Sequence, residues 1–223
     1  MPRQYDQYCA LATALDLLGD RWTLLVLREL WSGPKRFSAL EQGLVDAPTN
    51  VLTSRLKSLT EHGLIDARVP TDDRRGRVYQ INSDARAGLG EILTALTRFG
   101  IAHMSAGPVG ARPFHPEWLV LPLEATLRPE ALQRPITVKL ATGDDVGQFT
   151  IGSRGVTPSA EGDADVTITG APEALHRCLR SPEDIGSLVA TGDLVVTGDG
   201  KAIADLQRAL VPPASSSAED TET

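Results

Sequence analysis

The stretch Ala47-Pro-Thr-Asn-Val-Leu-Thr-Ser-Arg-Leu-Lys-Ser-Leu59, followed by Thr60-Glu-His-Gly-Leu-Ile65, decides how this chain is read. Leu52, Leu56 and Leu59 recur at i, i+4 and i+7, which predicts the buried stripe of a short helix. Thr49, Asn50, Thr53, Ser54 and Lys57 fall outside that stripe, and no carboxylate follows until Glu61. A dry back with a front of amide, hydroxyl and ammonium groups suits a helix that enters a DNA major groove. Asn pairs with adenine edges, hydroxyls meet bases or phosphates, and Lys neutralises phosphate. An ordinary amphipathic surface helix has the same spacing, so the flanks carry the decision.

Upstream, residues 10–18 are apolar with helical period and are interrupted by Gly19-Asp20. Asp20 is placed to cap a second helix, residues 21–31, with Trp22, Leu25, Val26 and Leu30 facing inward. Gly33-Pro34 ends that helix. Ser38 and Glu41 have the spacing of a capping box and open a short helix to about Leu44. A tight link through Asp46-Ala47-Pro48 then leads into the leucine-striped helix, and Pro48 suits a helix start. Two short helices so joined read as a helix-turn-helix. Downstream, two β-prone runs flank a tip at residues 71–76, a hairpin signal. Arg74, Arg75 and, just beyond, Arg77 make this a wing suited to phosphates or a minor groove, although Asp72 and Asp73 partly cancel the field. Residues 84–104 form a long helix whose Leu89, Ile92, Leu93, Leu96 and Phe99 make a near-heptad seam, fit for pairing with a second copy.

These residues carry a resemblance. Cys9, the run Ala14-Leu-Asp-Leu-Leu-Gly-Asp-Arg-Trp-Thr-Leu-Leu-Val-Leu-Arg28, the step Arg36-Phe-Ser-Ala-Leu40, Asn50 to Leu59, Gly63-Leu-Ile65 and Arg77-Val-Tyr-Gln-Ile81 resemble the HxlR family of bacterial winged helix-turn-helix regulators. The resemblance covers roughly residues 5–104 and implies a homodimer on a pseudo-palindromic operator, acting as repressor or activator. Ala85 departs from it, because the family usually has Gly after the second wing strand. Cys9 matches a cysteine that some members use as a thiol sensor. That chemistry needs exposure and a depressed pKa, and no cation adjoins Cys9 in sequence.

Residues 105–116 have the Pro/Gly density of a linker. Beyond them, residues 117–127 read as a helix, followed by strands at 136–140, 148–151 and 166–168. Helices at 172–179 and 182–190, a strand at 194–197 and a helix at 201–210 complete the pattern, and residues 212–223 are a polar tail. Ala164-Asp-Val-Thr-Ile-Thr-Gly-Ala-Pro-Glu-Ala-Leu175 and Thr191-Gly-Asp-Leu-Val-Val-Thr-Gly-Asp199 are similar to the sterol-carrier-protein-2-like domain. That resemblance covers residues 117–211 and implies a sheet backed by helices around an apolar cavity. Trp118, Leu121, Phe149, Leu175, Leu179, Ile185, Leu188 and Leu206 are its expected wall. The fold class expected is therefore α+β. A winged helix-turn-helix domain with a dimerisation helix (1–104) precedes a sterol-carrier-protein-2-like domain (117–211).

Composition narrows the function. The net charge of −7 is unevenly placed: residues 1–104 carry 13 Lys+Arg against 12 Asp+Glu, and residues 105–223 carry 9 against 17. A near-neutral N-terminal half still binds DNA if its cations cluster and the protein is dimeric. No apolar run approaches the ~20 residues of a membrane span. Two cysteines are too few for a disulfide scaffold, so a cytoplasmic location is expected. No catalytic set, metal-spaced His/Cys cluster or phosphate-cradling glycine loop is present, so neither enzyme activity nor a cofactor is expected. His176 and Cys178 lie two apart on a helix and so face different directions.

The expected function is a homodimeric, sequence-specific regulator, in sense a repressor, modulated by a small hydrophobic effector or by contacts of the C-terminal domain. Its partner is a double-stranded operator. Thr49, Asn50, Thr53, Ser54 and Lys57 would serve the groove, with Arg36 and Ser38 beside them and Arg74, Arg75 and Arg77 on the backbone. Two alternatives stay open: a hydrophobic-ligand carrier whose winged domain binds protein, and a redox sensor acting through Cys9.

Overall fold

Val26, Leu27, Leu30, Leu40, Leu52, Leu56 and Leu59 are almost wholly withdrawn from water, and they set the first half of the chain. A computed structural model describes residues 5–70, 76–104, 113–153, 155–160 and 162–210. It divides into two compact units, residues 1–93 and 94–223. The linker's 105–112, the tip's 71–75 and the tail from 211 lie outside the described residues. Among those described, no helix is long and apolar enough to cross a membrane.

The first unit runs α1 (Ala10–Leu18), α2 (Thr23–Trp31), β1 (Lys35–Arg36), α3 (Phe37–Gly43), α4 (Thr49–Glu61), β2 (Ile65–Arg68), β3 (Val78–Ile81) and the start of α5 (Ser83–His103). Its small sheet has the order β1-β3-β2, antiparallel throughout. β2 and β3 are the expected wing strands. The two-residue β1 was not expected; Lys35 pairs with Tyr79 and Arg36 with Val78. Asn82 opens α5, its Oδ1 accepting from the Asp84 N–H at 2.9 Å. Trp31 at the end of α2 receives α5: Arg86 lies over its ring at 4.3 Å. A Cβ on Gly90 would stand 3.0 Å from that ring, so glycine allows the crossing without displacing it.

Three local expectations are corrected. α2 begins at Thr23, and Asp20 gives it no side-chain cap; Trp22 occupies the cap in a left-handed conformation, and the Asp20 carboxylate pairs with Arg55 instead. Leu25 is 40% exposed rather than inward. Ser38 and Glu41 form no capping box, because α3 already starts at Phe37 with Arg36 as its cap. Pro48 stands at the start of α4, as expected, and is its cap.

Glu29 is the notable buried group: its side chain is 1% exposed and meets Lys35 at 2.9 Å and Arg28 at 2.8 Å. Burial pushes its carboxyl up, but the two cations outweigh that, and the net shift is downward. A Cβ on Gly43 would come within 2.5 Å of the carboxylate, so any larger residue at the end of α3 would have to displace Glu29. One side chain thus joins α2, the start of β1 and the end of α3.

The second unit holds the rest of α5, a 3-10 turn (Pro116–Leu119), α6 (Val120–Thr126), β4 (Ile136–Thr142), β5 (Asp145–Gly152), β6 (Gly155–Pro158) and β7 (Val166–Gly170). α7 (Pro172–Arg180), α8 (Ile185–Thr191), β8 (Leu194–Gly198) and α9 (Gly200–Ala209) follow. Its sheet has the order β6-β5-β4-β7-β8, with only β4 and β7 parallel. β6 was not foreseen, and the expected helix at 117 begins as the 3-10 turn. Alternate residues of β4 (Ile136, Val138 and Leu140) point into the core with Phe149 and Ile151 of β5. Asp199 caps α9, accepting from the N–H groups of Lys201 and Ala202.

Removing the Glu29 charge takes a buried counter-charge from Arg28 and Lys35, so Glu29→Gln is expected to lose on the order of 3 kcal/mol in urea unfolding. Because the folded carboxyl titrates below the unfolded one, its stabilisation is complete above the unfolded pKa and is lost as pH falls through the folded value. The wild-type minus Glu29→Gln difference should therefore shrink in acid below pH 4.5; a difference independent of pH would contradict the ion-pair account.

Candidate nucleic-acid interface

Burial of Leu52, Leu56 and Leu59 leaves each no more than 1% exposed, which turns the rest of α4 outward. Thr49, Asn50, Thr53, Ser54 and Lys57 are all exposed on it. On its flank Arg55 pairs with Asp20, fixing the helix to the α1–α2 connection. Thr53 donates its hydroxyl to the Thr49 carbonyl at 2.8 Å, and Thr49 donates to Glu41 Oε1 at 2.7 Å. With their protons directed inward, both hydroxyls present lone pairs to a guest, and Asn50 and Lys57 supply donors. Lys57 lies 3.7 Å from Glu61, but both are well exposed, so water screens the pair and phosphate competes with it easily.

Pro48 offers α4 no side-chain acceptor, and its first turn carries no acid. The acid at this end comes from outside the helix, the Glu41 carboxylate held by Thr49. Ser38 is exposed on the first turn of α3, and Arg36 is half-buried where β1 meets α3. Arg77 is exposed at the foot of β3, while Arg74 and Arg75 lie outside the described residues. Glu41 was missed as part of this surface. Its contact with Thr49 spans eight residues across a turn, and no local sequence pattern signals that.

Among the described residues of the second unit, two spaces bear on the expected cavity. The inner one, between sheet and helices, measures about 30 Å³ and is walled by Leu175, Leu179, Ile185 and Leu206 from the expected set. Val138, Leu140, Ile168 and Val196 complete it from the sheet side. Those strand residues were missed; the alternation of β4 marks them as inward-facing but does not tell a void from packed core. Trp118, Leu121 and Phe149 are not among the residues lining either space; Phe149 is core beside Val138 and Pro158, and the Trp118 ring meets His115 edge-on at 4.8 Å. The outer space is a cleft of about 480 Å³ that includes Leu179 and Leu188. Among the described residues no group of three or more His, Cys, Asp or Glu is placed to hold a metal ion.

Two family models match the chain. The HxlR-like helix-turn-helix family matches residues 17–107, and the SCP-2 sterol transfer family matches residues 123–211. YvaP of Bacillus subtilis, an uncharacterized HTH-type transcriptional regulator, is 30% identical over 86 residues, covering 39% of this chain and 79% of YvaP. The chain belongs to the HxlR-like helix-turn-helix family. Rv3095 of Mycobacterium tuberculosis, also an uncharacterized HTH-type transcriptional regulator, is 45% identical over 74 residues, or 33% of this chain. The match takes in 46% of Rv3095, so the chain spans about half the length of that relative. Among solved structures, the reduced form of the transcriptional regulator YodB from B. subtilis shares 23% identity at a TM-score of 0.39, covering 46% of this chain and 100% of YodB.

The two thiols of this HxlR-like protein differ sharply. Cys9 is exposed at the start of α1, whereas Cys178 is buried in α7, where its thiol donates to the Leu175 carbonyl at 3.0 Å. Burial pushes the Cys178 thiol up to about 12. Labelling with a chromogenic disulfide at pH 8 should therefore consume one thiol quickly and the second only after unfolding. Cys9→Ser should abolish the fast phase, and a fast phase that survives it would contradict the burial of Cys178.

Proposed function

We propose that this HxlR-like chain is a transcriptional regulator that binds an operator as a homodimer, acts as a repressor, and responds to a small hydrophobic effector through its C-terminal unit. The observation that carries the reading is the polar, acid-poor front of α4 standing free on a fully buried leucine back. Asn50 supplies base readout, Lys57 meets phosphate, and Arg77 reaches the backbone from the wing.

Dimer formation is supported by apolar surface left uncovered. The α5 seam is two faces rather than one: Leu89 and Leu93 are buried, while Ile92, Leu96 and Phe99 are 38%, 47% and 65% exposed. The exposed three recur at i, i+4 and i+7, and Phe99 stacks on His103 one turn later at 4.1 Å. On α1, Leu11 and Leu15 are likewise exposed. A stripe of this kind on an already packed helix suits a second copy.

Footprinting on DNA upstream of the protein's own gene tests this reading. Two protected half-sites about 34–36 Å apart are expected; no protection there or on other promoter fragments at moderate salt would overturn it. On the protected duplex, Asn50→Ala should cost about 1–3 kcal/mol and leave random DNA unaffected. Arg77→Ala should weaken binding to all sequences and flatten the salt dependence. Phe99→Glu should convert the protein to a monomer by sedimentation and reduce operator affinity together with it. A Phe99→Glu protein that stays dimeric would place the dimer contact elsewhere.

A further inference from the structure

The outer cleft of the C-terminal unit has a small-molecule volume, about 480 Å³, against about 30 Å³ for the inner cavity. Its floor is apolar, from Ile101 of α5, Pro122 of α6, Leu179 of α7 and Leu188 of α8. Its rim carries Glu173, Arg177, Arg180, Asp184 and Asp193. Arg177 Nε donates to Asp184 at 2.8 Å, and Thr191 donates its hydroxyl to Asp193 at 2.7 Å. Arg180 Nη1 donates to the Met104 carbonyl at 3.0 Å, beside the C-terminal end of α5, where the helix dipole favours a cation.

His176 also lines the cleft, with the Phe114 ring edge-on at 5.4 Å. Burial lowers its pKa despite the opposing pull of Glu173, so the imidazole is neutral at pH 7 and offers one donor and one acceptor. A neutral, mainly apolar guest gains contact with the apolar floor and a hydrogen bond with this imidazole.

We propose that this cleft, and not the inner cavity, binds an uncharged, mainly apolar small molecule carrying a hydroxyl or carbonyl group. Residues of α5 fall in both units, 83–93 in the first and 94–103 in the second, and its Ile101 lies on the cleft wall. A guest therefore touches the helix that also carries the exposed Ile92, Leu96 and Phe99 stripe. That regulatory consequence rests on the regulator reading above; occupancy of the cleft does not.

The test is a fluorescence titration of the full chain with Nile red, a neutral apolar dye with a carbonyl acceptor, beside the anionic dye anilinonaphthalene sulfonate. Saturable one-to-one binding of Nile red, tighter than the anion, is expected. Ala171→Trp, which narrows the cleft from its exposed rim, and Met104→Glu, which places a charge on its wall, should each weaken it about tenfold or more with unchanged melting. Ile168→Phe, which fills the inner cavity, should leave it intact. Absence of saturable binding, preference for the anion, binding that survives both cleft variants, or loss in Ile168→Phe alone would each overturn the assignment. Failure to find an operator would overturn the regulator reading and leave this titration standing.

Discussion

The N-terminal unit depends on a carboxylate that has almost no access to water. Glu29 projects from α2 to Lys35 at the first residue of β1, and the end of α3 closes on it at Gly43. An unpaired charge there would be untenable; two cations at hydrogen-bond distance offset its desolvation and lower its pKa. Because the cluster joins α2, β1 and α3, it sets where the turn into α4 begins. Asp46, in a left-handed conformation between α3 and α4, completes that turn.

From this anchor the presentation of α4 follows. Burying Leu52, Leu56 and Leu59 contributes about 1.5–3 kcal/mol each and fixes the helix's rotation about its own axis. Arg55, tied to Asp20, fixes the flank. What stays outside is a surface with few ways to satisfy itself, and its two threonines have turned their protons inward. Recognition by such a face combines acceptors from threonine with donors from Asn50 and Lys57.

Much of this was legible in sequence, for a physical reason: long elements with one buried face leave a period. The leucine stripe of α4, the wing strands and most of the C-terminal order were read that way. Short or non-local features left no period. β1 is two residues long, and the Glu29 cluster joins residues whose relation is set by tertiary packing. The Ser38–Glu41 spacing imitated a capping box, but Phe37 was already helical, and Glu41 was free to reach Thr49. In α5, apolar residues at three- and four-residue spacing looked like one seam. They are two adjacent faces, one filled by the chain's own core and one left bare. The expected cavity wall drew mainly on helices and omitted Val138, Leu140, Ile168 and Val196, because strand residues facing a void have the same alternation as strand residues facing packed core.

The most direct test of the central claim, that the front of α4 reads base sequence, is selection of bound duplexes from a random pool at physiological salt. The selected duplex and a scrambled copy are then compared for affinity. The account predicts a shared motif with two related half-sites and a preference of about 10³-fold or more for the selected duplex. Equal affinity for the two duplexes would contradict it.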